Sequence, residues 1–230
     1  MRSRFCFPSH FYYVGEVIYG DRESFRTEAI SAGNVTFALS STASTRSTFA
    51  RSSKRASSGG EAFHVVDPEL QEEHLKLLAE AGINVHRAID TGQLEVRRWQ
   101  DAYLRGDHFD KNAMLALIEE VLQSANTAGY PFTRLLAHME WALLDKPGVD
   151  NLVEYETRLN YLLPKYDDPV VCTHDLSKFD ASVTMDILRS HPVVIIGGVL
   201  QENPFFVPPD QFLHEIWERQ SARNSAGVAS

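Results

Sequence analysis

The chain has 230 residues, of which 43% are hydrophobic and 23% are charged, and its net charge is -9. This length suits one sizeable domain with a tail, and the composition is ordinary for a globular protein. The negative charge argues against direct binding of nucleic acid, which requires a basic surface. No apolar stretch approaches the roughly 20 residues of a membrane-spanning helix, so we expect no membrane partner.

The N-terminus and the cysteines indicate the cellular compartment. The first apolar run is interrupted by Pro8, Gly15 and Glu16, which makes it a poor signal peptide. We therefore expect a cytoplasmic protein. Cys6 and Cys172 are the only cysteines, and a reducing compartment disfavours a disulfide between them.

Charge divides the chain unequally. Residues 1–59 contain eight basic and four acidic residues, and residues 60–230 contain fourteen and twenty-seven. Residues 36–58 contain no acid and are about half Ser and Thr, a composition typical of disorder. We divide the chain into an atypical segment at 1–59, an α/β domain at 60–220 and a disordered tail at 221–230.

Strand and helix patterns alternate along the domain. Short β-branched or apolar runs predict strands at 62–66, 94–96, 135–137, 169–173 and 193–196. A 3.6-residue period of apolar positions predicts helices at 68–81, 112–128, 152–162, 179–190 and 211–220. This order predicts an α/β fold with a mostly parallel sheet and helices on both faces, a three-layer arrangement of the Rossmann or RecA-like kind.

The stretch from 134 to 161 organises the first candidate site. An apolar strand turns polar towards Glu140 and Trp141, and the next helix carries Glu156 and Asn160 one turn apart. Open α/β folds bind ligands beyond the carboxyl ends of their strands, so the two carboxylates could face one crevice. In the alternative interpretation Glu140 caps a helix, Glu156 is solvated and Trp141 is a core residue.

A second candidate group follows the strand at 169–173. Cys172, His174 and Asp175, together with His191, offer ligands for a borderline metal, but Cys-x-His is not a standard zinc spacing. We therefore assign no metal and no cofactor, and interpret the first three as ligand-binding candidates. His191 precedes a buried strand, where its imidazole can satisfy backbone groups. Asn203 is a candidate amide donor of an apolar pocket, or part of an ordinary loop.

Ordered motifs between residues 60 and 220 resemble one known family. They are FHVVDPE, GQLEV, YLRGDHFD, HMEWAL, YETRLNY, DPVVCTHD and RSHPVVIIGGVLQENPFFVPP. Together they resemble the MEDS domain, the methanogen and methylotroph sensory domain. The resemblance implies an α/β sensory domain of prokaryotic signal transduction that is proposed to sense simple hydrocarbon derivatives and has no established catalytic activity. The family more often has Tyr where His174 stands.

Residues 1–59 depart from the family. Its opening motifs, a His-hydrophobic-Cys-x-Phe strand, an acidic Tyr segment and a Pro-Phe-Ile helix, are not visible there. Back-translation shifted one base upstream permits all three in order, over residues 35–39, 44–48 and 51–59. We hypothesise that roughly residues 34–59 are read out of frame. Codons that cannot encode those motifs one base upstream would exclude this.

The leading functional interpretation is a non-enzymatic sensory domain. It binds a small organic ligand and signals through a partner such as a kinase or a transcription regulator. The alternatives are an enzyme that uses Cys172, His174 and Asp175 or Glu140, and a damaged family member without function. Linear spacing does not show the nucleophile–base contact that an enzyme would need.

Overall fold

In a computed structural model the described residues are 17–18, 24–25, 60–166, 168, 170–196 and 199–227. Two short strands, β1 (Val17–Ile18) and β2 (Ser24–Phe25), pair antiparallel. The reading-frame hypothesis and the predicted disorder at 36–58 lie outside the described residues.

A parallel sheet forms the centre of the domain. Its strands are β3 (Glu61–Val66), β4 (Leu94–Arg98), β5 (Thr133–His138) and β6 (Val170–Thr173). They lie in the order β4-β3-β5-β6, and every neighbouring pair is parallel. The predicted fold class is therefore confirmed. The carboxyl ends of β3, β5 and β6 meet at one edge of the sheet.

Six α-helices surround the sheet in the described part of the chain. They are α1 (Gln71–Glu80), α2 (Val85–Asp90), α3 (Lys111–Thr127), α4 (Leu152–Leu162), α5 (Ala181–Ser190) and α6 (Pro209–Gly227). The first begins three residues after Pro68, because the Asp67 carboxylate accepts the Glu69 amide in a preceding turn. The last runs to Gly227, whereas the apolar period predicted an end at Gln220. No helix among the described residues is long and apolar enough to cross a membrane.

The two faces of the sheet carry different cores. Phe63 and Val65 point to a large core that they share with α3, α4 and α5. Ala62, Leu94 and Val96 point to the opposite face and pack with α1 and α2. Successive side chains of a strand point to opposite faces of the sheet. The residues on each face are apolar because both faces are buried. The arrangement is three-layered.

The strong strand signal at 193–196 has an unexpected partner. It forms β7 (Val193–Ile196), which pairs antiparallel with β8 (Val199–Glu202) in a separate two-stranded sheet. From the sequence we expect this run among the strands of a mostly parallel sheet, and β8 is not predicted. Val194 is nevertheless buried in the large core.

Gly148 fixes the loop between β5 and α4. Its φ is +86°, and an added Cβ would lie 2.1 Å from the carbonyl oxygen of Phe109. The neighbouring Pro147 carbonyl accepts the Phe109 amide at 2.8 Å. The loop therefore holds Phe109 in place, and only glycine fits this approach.

We predict that Gly148→Ala lowers the free energy of unfolding by more than about 2 kcal/mol, since a left-handed backbone and a clash act together. Gly92→Ala is the matched control, because Gly92 has φ +71° but open space around it. Gly92→Ala should lower the free energy of unfolding by only about 1 kcal/mol. Urea unfolding compares the two, and equal losses would contradict the close approach.

Candidate functional site

Four ionisable side chains lie together at the carboxyl end of β6 and form what we call the Glu156 cluster. Glu156 comes from α4, Cys172 from β6, His174 from the residues after β6, and His191 from the end of α5. Glu156, His174 and His191 are 0% exposed and Cys172 is 1% exposed. Buried ionisable groups are expensive unless they are paired, so their convergence indicates a role.

Two asparagines hold the elements of this cluster together. The Asn160 Nδ2 atom on α4 donates to the Ser190 carbonyl at 2.9 Å. The Asn203 Nδ2 atom donates to the His191 carbonyl at 2.7 Å and to the Leu188 carbonyl. Both predicted ligand residues therefore use their amides on the end of α5, where they position His191.

The contacts within the cluster are close but not saturated. His174 Nε2 lies 3.0 Å from Glu156 Oε1, the distance of an ion pair but without hydrogen-bond geometry. His191 Nε2 lies 3.8 Å from the same oxygen. Within the part of the chain that is described, no contact of a Glu156 oxygen or a His174 nitrogen has good hydrogen-bond geometry, although His174 and the Cys172 thiol lie within hydrogen-bonding reach of Glu156. Such unsatisfied atoms are rare in folded interiors.

The tautomer of His191 follows from its other contacts. Its Nδ1 lies 2.6 Å from the Ile187 carbonyl and 2.9 Å from Ser190 Oγ. The Ser190 hydroxyl already donates to the same carbonyl at 2.8 Å. Nδ1 therefore carries the proton, and in neutral His191 the Nε2 lone pair faces Glu156.

The electrostatic state of the cluster is set by burial and by Glu156. Burial alone would raise the pKa of Glu156, but the charges of His174 and His191 bring it below its usual value. Burial lowers the pKa of His191 despite the attraction of Glu156. Burial, then the negative charge of Glu156, raises the pKa of the Cys172 thiol. These directions favour the carboxylate form of Glu156 and the thiol form of Cys172.

An aromatic wall closes one side of the cluster. Trp141 is 0% exposed and stacks on Tyr103 with ring centroids 4.6 Å apart, and Phe109 lies 4.3 Å from it. The Tyr103 and Tyr155 hydroxyls hydrogen-bond to each other, and Tyr155 lies close enough to Cys172 and Glu156 to feel their charges. Trp141 thus belongs to the core beside the cluster.

Glu140 and Asp175 lie outside the cluster. Glu140 sits on a 3-10 turn after β5, and its Oε1 accepts the Asp175 amide at 2.7 Å. The Asp175 carboxylate accepts from the Ser177 amide and hydroxyl and lies 3.6 Å from Lys178 Nζ. The two predicted groups therefore meet through one backbone contact, and the structure joins Glu156, not Glu140, to the imidazoles.

A second buried cluster was missed in the sequence analysis. His64 on β3, His74 on α1 and His138 at the end of β5 are all buried on the sheet face opposite Cys172. His64 Nδ1 and His74 Nε2 lie 2.9 Å apart, and the His74 and His138 rings are 5.6 Å apart. The signal in the sequence was a histidine in each of two neighbouring strands, His64 within β3 and His138 at the end of β5. The apolar residues around them drew attention to the strands instead.

This second cluster predicts acid sensitivity. Burial lowers the pKa of His74 to about 4, and burial followed by the charges of His74 and His138 lowers the pKa of His64. In the unfolded chain His74 becomes protonated near pH 6.5, whereas in the folded chain it stays neutral down to about pH 4. Stability is therefore full above pH 6.5 and falls by up to about 3 kcal/mol between these limits.

We predict that His74→Leu makes the unfolding free energy less dependent on pH between pH 6.5 and 4. The slope should fall by ~1.4 kcal/mol per pH unit, the contribution of one bound proton. Urea unfolding at several pH values measures this slope. His214→Leu is the control, because His214 is exposed, and it should keep the wild-type slope. An unchanged slope in His74→Leu would show that the unfolded and folded chains bind its proton alike.

The fold is similar to that of a solved archaeal protein. The KaiC-like protein PH0186 from Pyrococcus horikoshii OT3 superposes with a TM-score of 0.54 over 81% of each chain, at 15% identity. At this identity the likeness shows the fold alone. It agrees with the three-layer α/β arrangement.

A relative of known class shares sequence with part of the chain. The transcriptional repressor DcmR of Methylorubrum extorquens (strain DSM 6343 / CIP 106787 / DM4) is 34% identical over 119 residues. The alignment covers 51% of this chain and 42% of DcmR, so the chain spans less than half the length of this relative.

A family model matches residues 40–192, which include the whole parallel sheet and the Glu156 cluster. The match begins inside the segment that the sequence analysis set apart and ends before the last helix. It covers more than half of the chain. The chain belongs to the MEDS family, the methanogen/methylotroph, DcmR sensory domain.

Proposed function

We propose that this chain is a cytoplasmic sensory module that binds a small organic molecule at the Glu156 cluster and passes its occupancy to a regulatory partner. The observation that carries the proposal is that both Glu156 oxygens, both His174 nitrogens and His191 Nε2 are buried without a partner in good hydrogen-bond geometry among the described residues. A polar ligand would supply the missing partners.

The position of the cluster supports ligand binding. It lies at the carboxyl end of a parallel strand, where open α/β folds bind their ligands. It combines an apolar aromatic wall with a few polar groups, as small-molecule sites do. The apolar wall and the small number of donors favour a small molecule with one polar group, such as a simple hydrocarbon derivative.

Family membership supports the signalling role. The family is described as a sensory domain, and the relative with 34% identity is a transcriptional repressor. The shared region is less than half of that repressor, so we propose that the output of this chain passes through a transcription regulator or a kinase. Occupancy would act by moving α4 against α5, because the cluster joins these helices.

The alternative of a cysteine nucleophile finds less support. A nucleophilic cysteine needs a lowered pKa, whereas burial and Glu156 raise the pKa of Cys172. Asp175 is held by Ser177 and Lys178 instead of orienting His174. The Cys172–His174–Asp175 order in sequence does not become a relay in space.

We predict that at least one of methanol, methylamine, methanethiol and dichloromethane raises the midpoint of thermal unfolding saturably. At a concentration 100-fold above the dissociation constant the rise should be about 5–10 °C, since bound ligand stabilises the folded state. Gas chromatography of the same samples should show that the compound is not consumed. Consumption lost on Cys172→Ala would favour an enzyme instead.

The location is tested with two isosteric variants. Glu156→Gln removes the charge of the cluster, and Glu140→Gln removes a nearby carboxylate that binds only the Asp175 amide in the described contacts. The rise should survive Glu140→Gln and disappear in Glu156→Gln. No rise with any of the four compounds, or an undiminished rise in Glu156→Gln, would contradict the proposal.

A further inference from the structure

Three donor atoms of the Glu156 cluster have the spacing of a metal site. One ligand atom each of Glu156, Cys172 and His191 lie within 4.8 Å of one another. In a tetrahedral zinc site with bonds of 2.0–2.3 Å, ligand atoms are about 3.4–3.8 Å apart. His191 Nε2 and Glu156 Oε1 are already 3.8 Å apart. Small side-chain rotations would bring all three donors to one ion.

The environment of His191 is that of a metal ligand. A ligating imidazole usually donates its second N–H to a carbonyl or carboxylate, which fixes the tautomer and the ring orientation. His191 Nδ1 does this with the Ile187 carbonyl, and the Asn203 amide holds the His191 carbonyl. In the tautomer with a proton on Nδ1, the Nε2 lone pair faces Glu156 Oε1 at 3.8 Å, and a cation bound between these two atoms would replace their mutual repulsion by two favourable contacts.

The charges also favour a divalent ion. A thiolate and a carboxylate together balance two positive charges, so a bound ion would leave the interior neutral. Metal binding deprotonates a coordinating thiol even where burial keeps it protonated otherwise. On binding, Cys172 would form its sulfur–metal bond and release one proton to solvent. Glu156 would exchange its present contacts, which lack good hydrogen-bond geometry, for a metal bond.

We infer that Glu156, Cys172 and His191 bind one divalent transition-metal ion of the zinc class. One thiolate, one imidazole and one carboxylate suit such a borderline ion. The sequence alone indicated no metal, because Cys-x-His is not a standard zinc spacing. The ligands in fact come from α4, β6 and the end of α5, so no local motif would reveal them.

The fourth position of the ion deepens the proposed function and rests on it. Three protein ligands leave one tetrahedral position open. His174 lies 3.0 Å from Glu156 Oε1 and acts as a positioning residue for that carboxylate. The open position is where a small Lewis-basic molecule, such as an amine or a thiol, would bind directly to the ion.

The test uses the full chain freed of metal with a chelator and titrated with Co²⁺, then with Zn²⁺ as competitor. We expect one equivalent of Co²⁺ to produce a thiolate-to-cobalt charge-transfer absorption, which Zn²⁺ abolishes. Cys172→Ser should lose this absorption. His191→Gln should weaken binding by more than the roughly 10- to 100-fold that loss of an outer-shell partner causes.

Matched controls separate the site from adventitious binding. Cys6→Ser changes the other cysteine, and His214→Gln changes an exposed histidine; both should bind as the wild type does. If Cys172→Ser keeps the absorption, or if Cys6→Ser loses it, the assignment is overturned. Should the cluster variants fail to fold, X-ray absorption of the zinc-loaded wild type decides, because a first shell without sulfur at about 2.3 Å overturns the inference.

The failure of this inference differs from the failure of the proposed function. Thermal unfolding with methylamine and methanethiol is repeated on zinc-loaded and metal-free protein. Metal binding without any response to the compounds leaves the metal site standing and contradicts sensing. A response of equal size in metal-free protein supports sensing and overturns the open-position assignment.

Discussion

The burial of an ionised carboxylate at Glu156 is the constraint on which the functional half of the structure depends. The carboxylate is 0% exposed, and the imidazoles of His174 and His191 keep its pKa below the usual range although burial alone would raise it. One imidazole comes from the end of β6 and the other from the end of α5. Both can reach Glu156 only because α4 packs against α5 at this point. Asn160 fixes this meeting by joining α4 to the Ser190 carbonyl. The packing of the helices therefore also provides the charge stabilisation that the buried carboxylate needs, and a bound cation or polar ligand would complete it.

The parallel sheet separates two kinds of buried polar chemistry. The face that packs against α3, α4 and α5 carries the carboxylate, thiol and imidazole groups of the Glu156 cluster. The face towards α1 carries His64 and His138 beside His74, and burial favours the neutral forms of His64 and His74. Adjacent strand positions place Thr173 and Cys172 on opposite faces, so a single strand serves both environments. Acidification would destabilise the fold at the face with the histidines, whereas a ligand or metal would bind at the other face.

Periodicity predicted most of the architecture and only part of the site. The stripe of α3, with Met114, Leu117 and Leu122 buried, and the buried runs of β3, β5 and β6 follow from local pattern. The order of strands and helices then leaves few topologies. The antiparallel β7–β8 pair did not follow, because an isolated apolar run does not specify its partner strand. The family match from residue 40 adds sequence likeness to a part of the N-terminal segment, and the reading-frame hypothesis stays a prediction that the gene's codons decide.

The sequence predicted the chemical types in the site but not their grouping. Glu156, Cys172 and His174 appeared in two separate groups, and the structure brings them into one with His191. Asn160 and Asn203 bind backbone carbonyls, a use that depends on the packing of α4 against α5 and that no local spacing shows. The most direct measurement is a crystal structure of the full chain grown with zinc, with an anomalous difference map at the zinc edge. We expect one peak bounded by Glu156, Cys172 and His191, whereas a map without a peak there, and with Glu156 closed by direct hydrogen bonds to its neighbours, would contradict the metal site.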